Sequence, residues 1–277
     1  MTIKDLRGAM RLSMAEGWNQ TEDDWMVFIE NPANICLLAE VNNKVIGTTA
    51  AINYANEEAW IGMVLVDKEY RGLGVSKSLL SGIFEKLASF KSIKLDATAA
   101  GQPVYQKFGF KDEFLVSRMV NVAVSNKKFE QPASKVEFIR QEDIQEIISM
   151  DEIVFGANRE QLIKFLFNNS EQPGLLLRRE GKINGFALVR KGSKYHQVGP
   201  VVAYSTPDAK ILISKSLEQF NKQPVVVDVL CDKKELVDWL NSIGFNRQRD
   251  FIRMYKNVNH FPGKGDNLFL ICGPEFG

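Results

Sequence analysis

The chain has 277 residues, 35 Lys and Arg against 34 Asp and Glu, 45% apolar and 25% charged residues. This ordinary globular balance excludes disorder, collagen-like repeats and a disulfide scaffold. A net charge of +1 gives no basic excess for general nucleic-acid binding, and no apolar run reaches the roughly 18 residues of a membrane span. Cys36, Cys231 and Cys272 are widely spaced, and only two histidines occur. The expectation is reduced thiols in the cytoplasm and no metal. The charged N-terminus lacks the apolar core of a signal peptide. At this length two domains of about 135 residues are expected, each able to bury its own core.

The elements follow in chain order. Ile3 to Ala15 and a second stretch are helical. CLLAEVNNKVIGTTA reads as strand, polar turn, strand, and WIGMVLV (60–66) as a third strand. A glycine turn, a helix and the strand IKLDA (93–97) come next. A short helix ends in Gly109-Phe110, and a closing strand carries Arg118-Met119. The polar segment SNKKFEQPASK, Ser125 to Lys135, marks a boundary. Beyond it the order recurs: LLLRREGKINGFALV, QVGPVVA (197–203), a helix, VVVDV (225–229), Gly244-Phe245 and Arg253-Met254. The offsets are 138 for Gly47 to Gly185, 137 for Gly62 to Gly199, and 135 for both Gly109 to Gly244 and Arg118 to Arg253. So constant an offset marks a duplicated α/β domain. Each copy is expected to form a mixed, mostly antiparallel sheet with helices on both faces. The domains are placed at 1–126 and 135–277.

The copies differ after their third strand. The first reads VLVDKEYRGLGVSKSLL, Val64 to Leu80; the second reads VVAYSTPDAKILI, Val201 to Ile213. Only the first has two close glycines. Gly72 and Gly74 lack Cβ, so the chain can take positive φ and come close to a ligand. The N–H groups of residues 72 to 77 then converge, unpaired, at a helix N-terminus whose dipole favours an anion. Arg71 and Lys77 add positive charge. Val75, Leu79, Leu80, Ile83, Phe84 and Leu87 give the following helix one packed face. In this reading the turn is a pyrophosphate cradle; the plainer alternative is a glycine turn that binds nothing. A nucleotide P-loop and a Rossmann fingerprint are both absent.

Val64 to Leu80 resembles motif A of the GNAT superfamily of acyl-CoA N-acyltransferases. The family pattern R/Q-x-x-G-x-G/A is met by Arg71, Gly72, Leu73, Gly74, Val75 and Ser76, with Ser76 where Gly or Ala is usual. PVYQKFGF, Pro103 to Phe110, is similar to the family's Y-x-x-x-G-F. The resemblance covers most of residues 2–122. The second half resembles the degenerate GNAT-like domain of a bacterial two-domain subgroup, through DEIVFGANR (151–159) and VGPVVA; GWN (17–19) fits the same subgroup. The chain departs from the family in starting almost at the first helix, where a strand usually precedes it.

The resemblance implies tandem GNAT-like domains and transfer of an acetyl group from acetyl-CoA to an amine by direct attack, with no covalent enzyme intermediate. It places the pantetheine along the backbone of Val64, Leu65 and Val66, where an N–H would polarise the thioester carbonyl. It puts the pyrophosphate on Arg71, Gly72, Leu73, Gly74, Val75, Ser76 and Lys77. Tyr105 matches the general acid that protonates the leaving thiolate, since a phenol of pKa about 10 suits that transfer; the competing role is a packing aromatic. Glu57, Glu58 and Asp96 are candidate bases, each with a plainer place in a turn or at a strand end.

Trp18 and Asn19 fall where the family shapes its acceptor pocket, although Trp18 would equally fill a helix seam, with Asn19 or Thr21 capping the next helix. His196 would reach the acceptor from the second half, unless it is an exposed turn histidine. The second half, without the glycine turn, would form a pocket wall, a scaffold or a dimer surface. The expected function is an N-acetyltransferase of a small-molecule amine, working as a monomer or homodimer. The alternative is a catalytically silent acyl-CoA sensor.

Overall fold

A computed structural model describes residues 1–56, 58–125, 135–259, 263 and 265–277. Both halves follow the order the repeat predicts. In the first, α1 (Leu6–Ala15) and α2 (Glu22–Ile29) precede β1 (Ile35–Val41), β2 (Lys44–Tyr54) and β3 (Glu58–Val66). Then come α3 (Val75–Lys86), β4 (Ser92–Thr98), α4 (Gln102–Lys107) and β5 (Lys111–Asn121). In the second, β6 (Lys135–Phe138) leads into α5 (Ile144–Phe155) and α6 (Glu160–Asn169). These are followed by β7 (Leu175–Arg179), β8 (Lys182–Lys191), β9 (His196–Ala203), α7 (Thr206–Glu218) and β10 (Val225–Leu230). α8 (Lys234–Ser242), β11 (Asn246–Asn257) and a short β12 (Leu268–Leu270) complete it. β6 pairs with β7 and opens the second half with a strand. Among the described residues no strand precedes α1, and the Met1 ammonium donates instead to the Cys36 carbonyl at 3.0 Å.

The two sheets run together. Twelve strands form one sheet, ordered β1-β2-β3-β4-β11-β5-β10-β12-β9-β8-β7-β6. The join is an exchange of closing strands: β11 lies between β4 and β5, and β5 lies between β11 and β10. Each half would otherwise present an open edge at β4 or β10, and the other half's strand closes it. Most of the linker between the halves lies outside the described residues. A cut there separates strands that are neighbours in the sheet.

One face of the sheet carries α1, α2, α5 and α6 over a core drawn from both halves, with Trp25, Phe28, Trp60, Phe155, Phe186 and Phe276 buried in it. Each such side chain contributes on the order of 1.5–3 kcal/mol of burial. On the other face α3 and α4 cover the first half, and α7 and α8 the second. Residues 271–277 run through the joint core. The Tyr54 hydroxyl donates to the Phe276 carbonyl (2.8 Å), Trp60 Nε1 to that of Pro274 (3.0 Å) and Arg159 Nη1 to that of Gly277 (2.7 Å).

This segment explains a glycine that the two copies share. A Cβ at Gly62 would stand 2.9 Å from the Glu275 carbonyl oxygen, and one at Gly199 would stand 2.0 Å from that of Ile271. The segment crosses β3 and β9 at equivalent points, and only glycine admits its backbone so close.

Candidate active site

β3 holds one residue too many against β2. Thr48 faces Leu65 and Ala50 faces Gly62, so two steps along β2 match three along β3. That is a β-bulge, which bends and twists the strand carrying it. Met63 sits there with φ +55°, and its carbonyl accepts from Thr48 Oγ1 at 2.8 Å. Beyond the bulge β3 leaves β4. Their parallel ladder runs from Glu58 opposite Ser92 to Ile61 opposite Leu95 and stops, although the strands continue to Val66 and Thr98. The edge of Val64, Leu65 and Val66 that faces β4 therefore carries no ladder.

The chain next turns through Gly72 (φ +78°) and Gly74 (φ +82°), the N-cap of α3. Both values favour glycine, and a Cβ at either would meet nothing within 4 Å, so the space over the turn is open. The first bond of α3 runs from Ser78 N to the Gly74 carbonyl (3.0 Å). The N–H groups of Val75, Ser76 and Lys77 consequently have no helical acceptor. No acidic residue stands in the first turn, and Leu73 and Lys77 are exposed. Leu79, Leu80 and Ile83 are buried, which fixes the helix on the sheet as its spacing predicts. Arg71 is drawn to Glu16 (2.6 Å). At the start of the turn Arg11 grips Asp67 (2.8 Å), and with the Glu69 N–H and Lys44 it pushes that carboxyl down to about 2.

The second half fills both places with its own atoms. β9 has a matching bulge, with Ala187 opposite Val201 and Val189 opposite Val198, and it leaves β10 after Val198 and Val227. β12 occupies that gap, where Leu270 pairs with both Val201 and Val229. At the N-terminus of α7, Ser205 caps the helix and Asp208 stands in the first turn. Its carboxylate is held by Arg179 and by Asn184 Nδ2 (2.7 Å). A carboxylate of the chain thus takes the seat that a helix dipole offers to an anion.

Beside the β3–β4 parting lies a cleft of about 610 Å³, mouth included. Trp18, Gln20, Met63, Val64, Asp96 and Tyr105 line it from the first half; Arg249, Phe251, Pro274 and Glu275 line it from the second. Tyr105 is buried with its ring edge-on to Phe110 (5.9 Å), and burial holds its phenol well above the usual value near 10. Its hydroxyl makes no hydrogen bond to another described residue.

Asn19 lies beside Trp18 but is committed elsewhere. Its Oδ1 accepts from the N–H groups of Lys194 (3.0 Å) and Tyr195 (2.9 Å), and its Nδ2 donates to the Tyr195 carbonyl (3.1 Å). It clamps the β8–β9 turn onto the first half, while Thr21 caps α2. His196 does not line the cleft. Its half-buried ring stacks on Phe220 (4.5 Å), a residue of the core under α7 and α8, and burial lowers its pKa. Asp96 is no free base, because both its oxygens are held by Arg253 at 2.9 Å. Glu58 is buried against Lys94 (3.3 Å) and does not line the cleft; Glu57 lies outside the described residues. Burial pushes the Cys36 thiol to about 11 and Cys272 to about 12, and neither borders the cleft.

Gln20, Arg249 and Glu275 escape sequence reasoning. One signal was available for Arg249: at the repeat offset of 135 it stands opposite Phe114, a charge where the other copy has an aromatic.

Residues 4–110 match the family model "Acetyltransferase (GNAT) family" and residues 147–270 match "Acetyltransferase (GNAT) domain". The chain is 24% identical over 249 residues to the uncharacterized N-acetyltransferase YitH of Bacillus subtilis (strain 168), covering 87% of this chain and 84% of that protein. It is 24% identical over 266 residues to holothin acyltransferase of Pseudoalteromonas sp. (strain SANK 73390), covering 96% and 89%. The crystal structure of a candidate acetyltransferase from Pyrococcus horikoshii shares the fold, with a TM-score of 0.83 at 21% identity over 100% of this chain and 94% of that one. Two GNAT models in tandem, and the fold they describe, make this chain a two-domain acyltransferase of the GNAT family.

Proposed function

We propose that the protein transfers an acetyl group from acetyl-CoA to the primary amine of a small molecule, in the cytoplasm, with both bound at once. One observation supports this above the others: β3 leaves β4 at the Met63 bulge, with the open Gly72–Gly74 turn near one end of the parting and the Tyr105-lined cleft beside it. Residues 1–126 would carry the donor site, and residues 135–277 would wall the acceptor.

The residues suit the donor. The free edge of Val64, Leu65 and Val66 offers the backbone groups an amide chain pairs with, as an added strand does. The open turn at Gly72, Leu73 and Gly74 and the unpaired N–H groups of Val75, Ser76 and Lys77 suit a pyrophosphate, with Arg71 adding charge. When bound, acetyl-CoA supplies the acetyl group as a thioester. A backbone N–H at Val64 would polarise its carbonyl. Tyr105, held protonated by burial, keeps a proton for the departing sulfur. A sensor needs no proton donor at that point, which favours the enzyme.

Calorimetric titration with acetyl-CoA and with CoA tests the reading, using the wild type and Gly74→Glu. One site in the wild type, lost when an anion is set at the N-cap, is expected, followed by thiol release in an amine screen. No binding by folded wild type, or binding that Gly74→Glu leaves intact, overturns it.

A further inference from the structure

The cleft is lined by charges that are matched and charges that are not. Arg118 is neutralised by Asp228, both bonds at 2.7 Å, and Asp96 by Arg253. Arg190 meets two carboxylates, Asp24 at 2.6 Å and Glu275, and burial with the neighbouring Glu275 raises the Asp24 pKa. Glu275 is 3% exposed, and its Oε2 is buried without a hydrogen-bond partner. Gln20 is 4% exposed with Oε1 in the same condition. Arg249 is the reverse case. It is half-buried, forms no ion pair with a described residue, and its buried Nε has no acceptor. Burial and the neighbouring Arg118 both work against its charge.

Two unpartnered acceptor oxygens and one unpartnered guanidinium nitrogen thus belong to residues that line a single cleft. Buried polar groups are rarely left so, because each costs about 1–3 kcal/mol until a partner arrives. Glu275 stands on the β3 side, since its backbone crosses β3 at Gly62, one residue before the bulge. Arg249 belongs to β11, which lies beyond β4. Trp18 and Phe251 supply apolar wall in the same cleft.

We propose that the acceptor is an amino acid with an apolar side chain: Glu275 and Gln20 take its ammonium, and Arg249 takes its carboxylate. This rests on the acetyltransfer reading for its chemistry but not for its binding. An arginine fork binds a carboxylate through two parallel bonds, which a neutral amide cannot match.

The test is binding of leucine, methionine, phenylalanine and tryptophan, and of their carboxamides, to the full chain with and without CoA. At least one acid is expected to bind the wild type tenfold or more tighter than its amide. Arg249→Gln should bring the two within twofold while CoA binding is kept. Equal binding of acid and amide, equal loss of both in Arg249→Gln, or no binding by any of the eight overturns the proposal. Arg249→Lys, which keeps the charge and loses the fork, is expected to fall between; if Arg249→Gln does not fold, the acid–amide comparison in the wild type decides alone. Amino-acid binding without CoA binding would retain this proposal and discard acetyltransfer.

Discussion

Arg118 on β5 holds Asp228 on β10 through Nε and Nη2, both at 2.7 Å, although the two belong to different copies of the repeat. The equivalent pair, Arg253 on β11 and Asp96 on β4, does the same at 2.9 Å. Each copy's arginine neutralises the other copy's aspartate, because the strands that carry the arginines have changed places. All four side chains are nearly or fully buried. Removing one partner of a buried pair strands a charge and costs about 3–5 kcal/mol, whereas replacing both with apolar residues is often neutral. Arg118→Met should therefore lower stability by about that amount in urea unfolding. Arg118→Met with Asp228→Leu should recover most of it, less the bond that Gln197 Nε2 gives Asp228 (3.0 Å).

The offset of 135 sets Arg118 opposite Arg253, and the matching strands IKLDA and VVVDV each carry one aspartate; the element order, the glycine turn and the place of Tyr105 on a short helix are equally legible. The exchange is not. Hydrophobic alternation tells which face of a strand is buried but is silent on which edge it pairs with. The segment LFLICGPEFG carries no motif, so nothing announced that it would plug one half and wall the cleft of the other. Gly62 and Gly199 were visible as landmarks, while their cause, a backbone crossing above them, lay far away in sequence. The family resemblance sets Asn19 where the acceptor pocket is shaped, and His196 is expected to reach it from the second half. Local bonds decide both: backbone groups of the 193–195 turn saturate Asn19, and Phe220 holds His196.

Tyr105→Phe separates a proton donor from a packing aromatic. The hydroxyl makes no hydrogen bond to a described residue, so its removal strands no partner, and stability should stay level or rise slightly. Loss of a general acid costs about 100- to 10,000-fold in rate. The expected outcome is an unchanged melting midpoint with kcat lower by at least 100-fold. Because burial raises the phenol pKa, the wild-type rate should show no alkaline fall from this group below pH 10. A rate within threefold of the wild type would assign Tyr105 to packing.

Gly74 and Gly199 both have positive φ, +82° and +152°, yet alanine should act differently at each. At Gly74 a Cβ meets nothing, so the cost is the backbone conformation alone, about 1–2 kcal/mol. At Gly199 it meets the Ile271 carbonyl oxygen at 2.0 Å, which neither backbone can yield without dislodging β12. Gly199→Ala should cost more than 3 kcal/mol, at the upper end of overpacking penalties. Urea midpoints of the two variants give the comparison directly, and equal midpoints would contradict it.

His196 makes a pH prediction with a definite sign. Burial lowers its folded pKa below 6.5, so near that value the unfolded chain binds more protons than the folded one. Stability is then full above pH 6.5 and declines as pH falls through that value. His196→Phe keeps an aromatic on Phe220 and should flatten this part of the stability profile between pH 7 and pH 5. The acceptor KM should not move, since the ring lies outside the cleft. A raised KM would return His196 to the acceptor site.

Two copies of one fold raise the question of how many acyl-CoA molecules a chain could hold, and the second half has its own atoms where the first is open. In the second half β12 lies in the strand gap, and Asp208 sits at the helix N-terminus with its charge met by Arg179. A second ligand would have to displace a paired strand and a buried carboxylate together. Either loss exceeds what a few phosphate contacts return, because the stranded Asp208 would also repel the incoming anion. Titration with CoA should therefore give one site per chain in the wild type and none in Gly74→Glu. Asp208→Asn should remain at one, since β12 still fills the gap. A stoichiometry of two in any of these proteins would mean that the plug exchanges with ligand, making the second half a latent site.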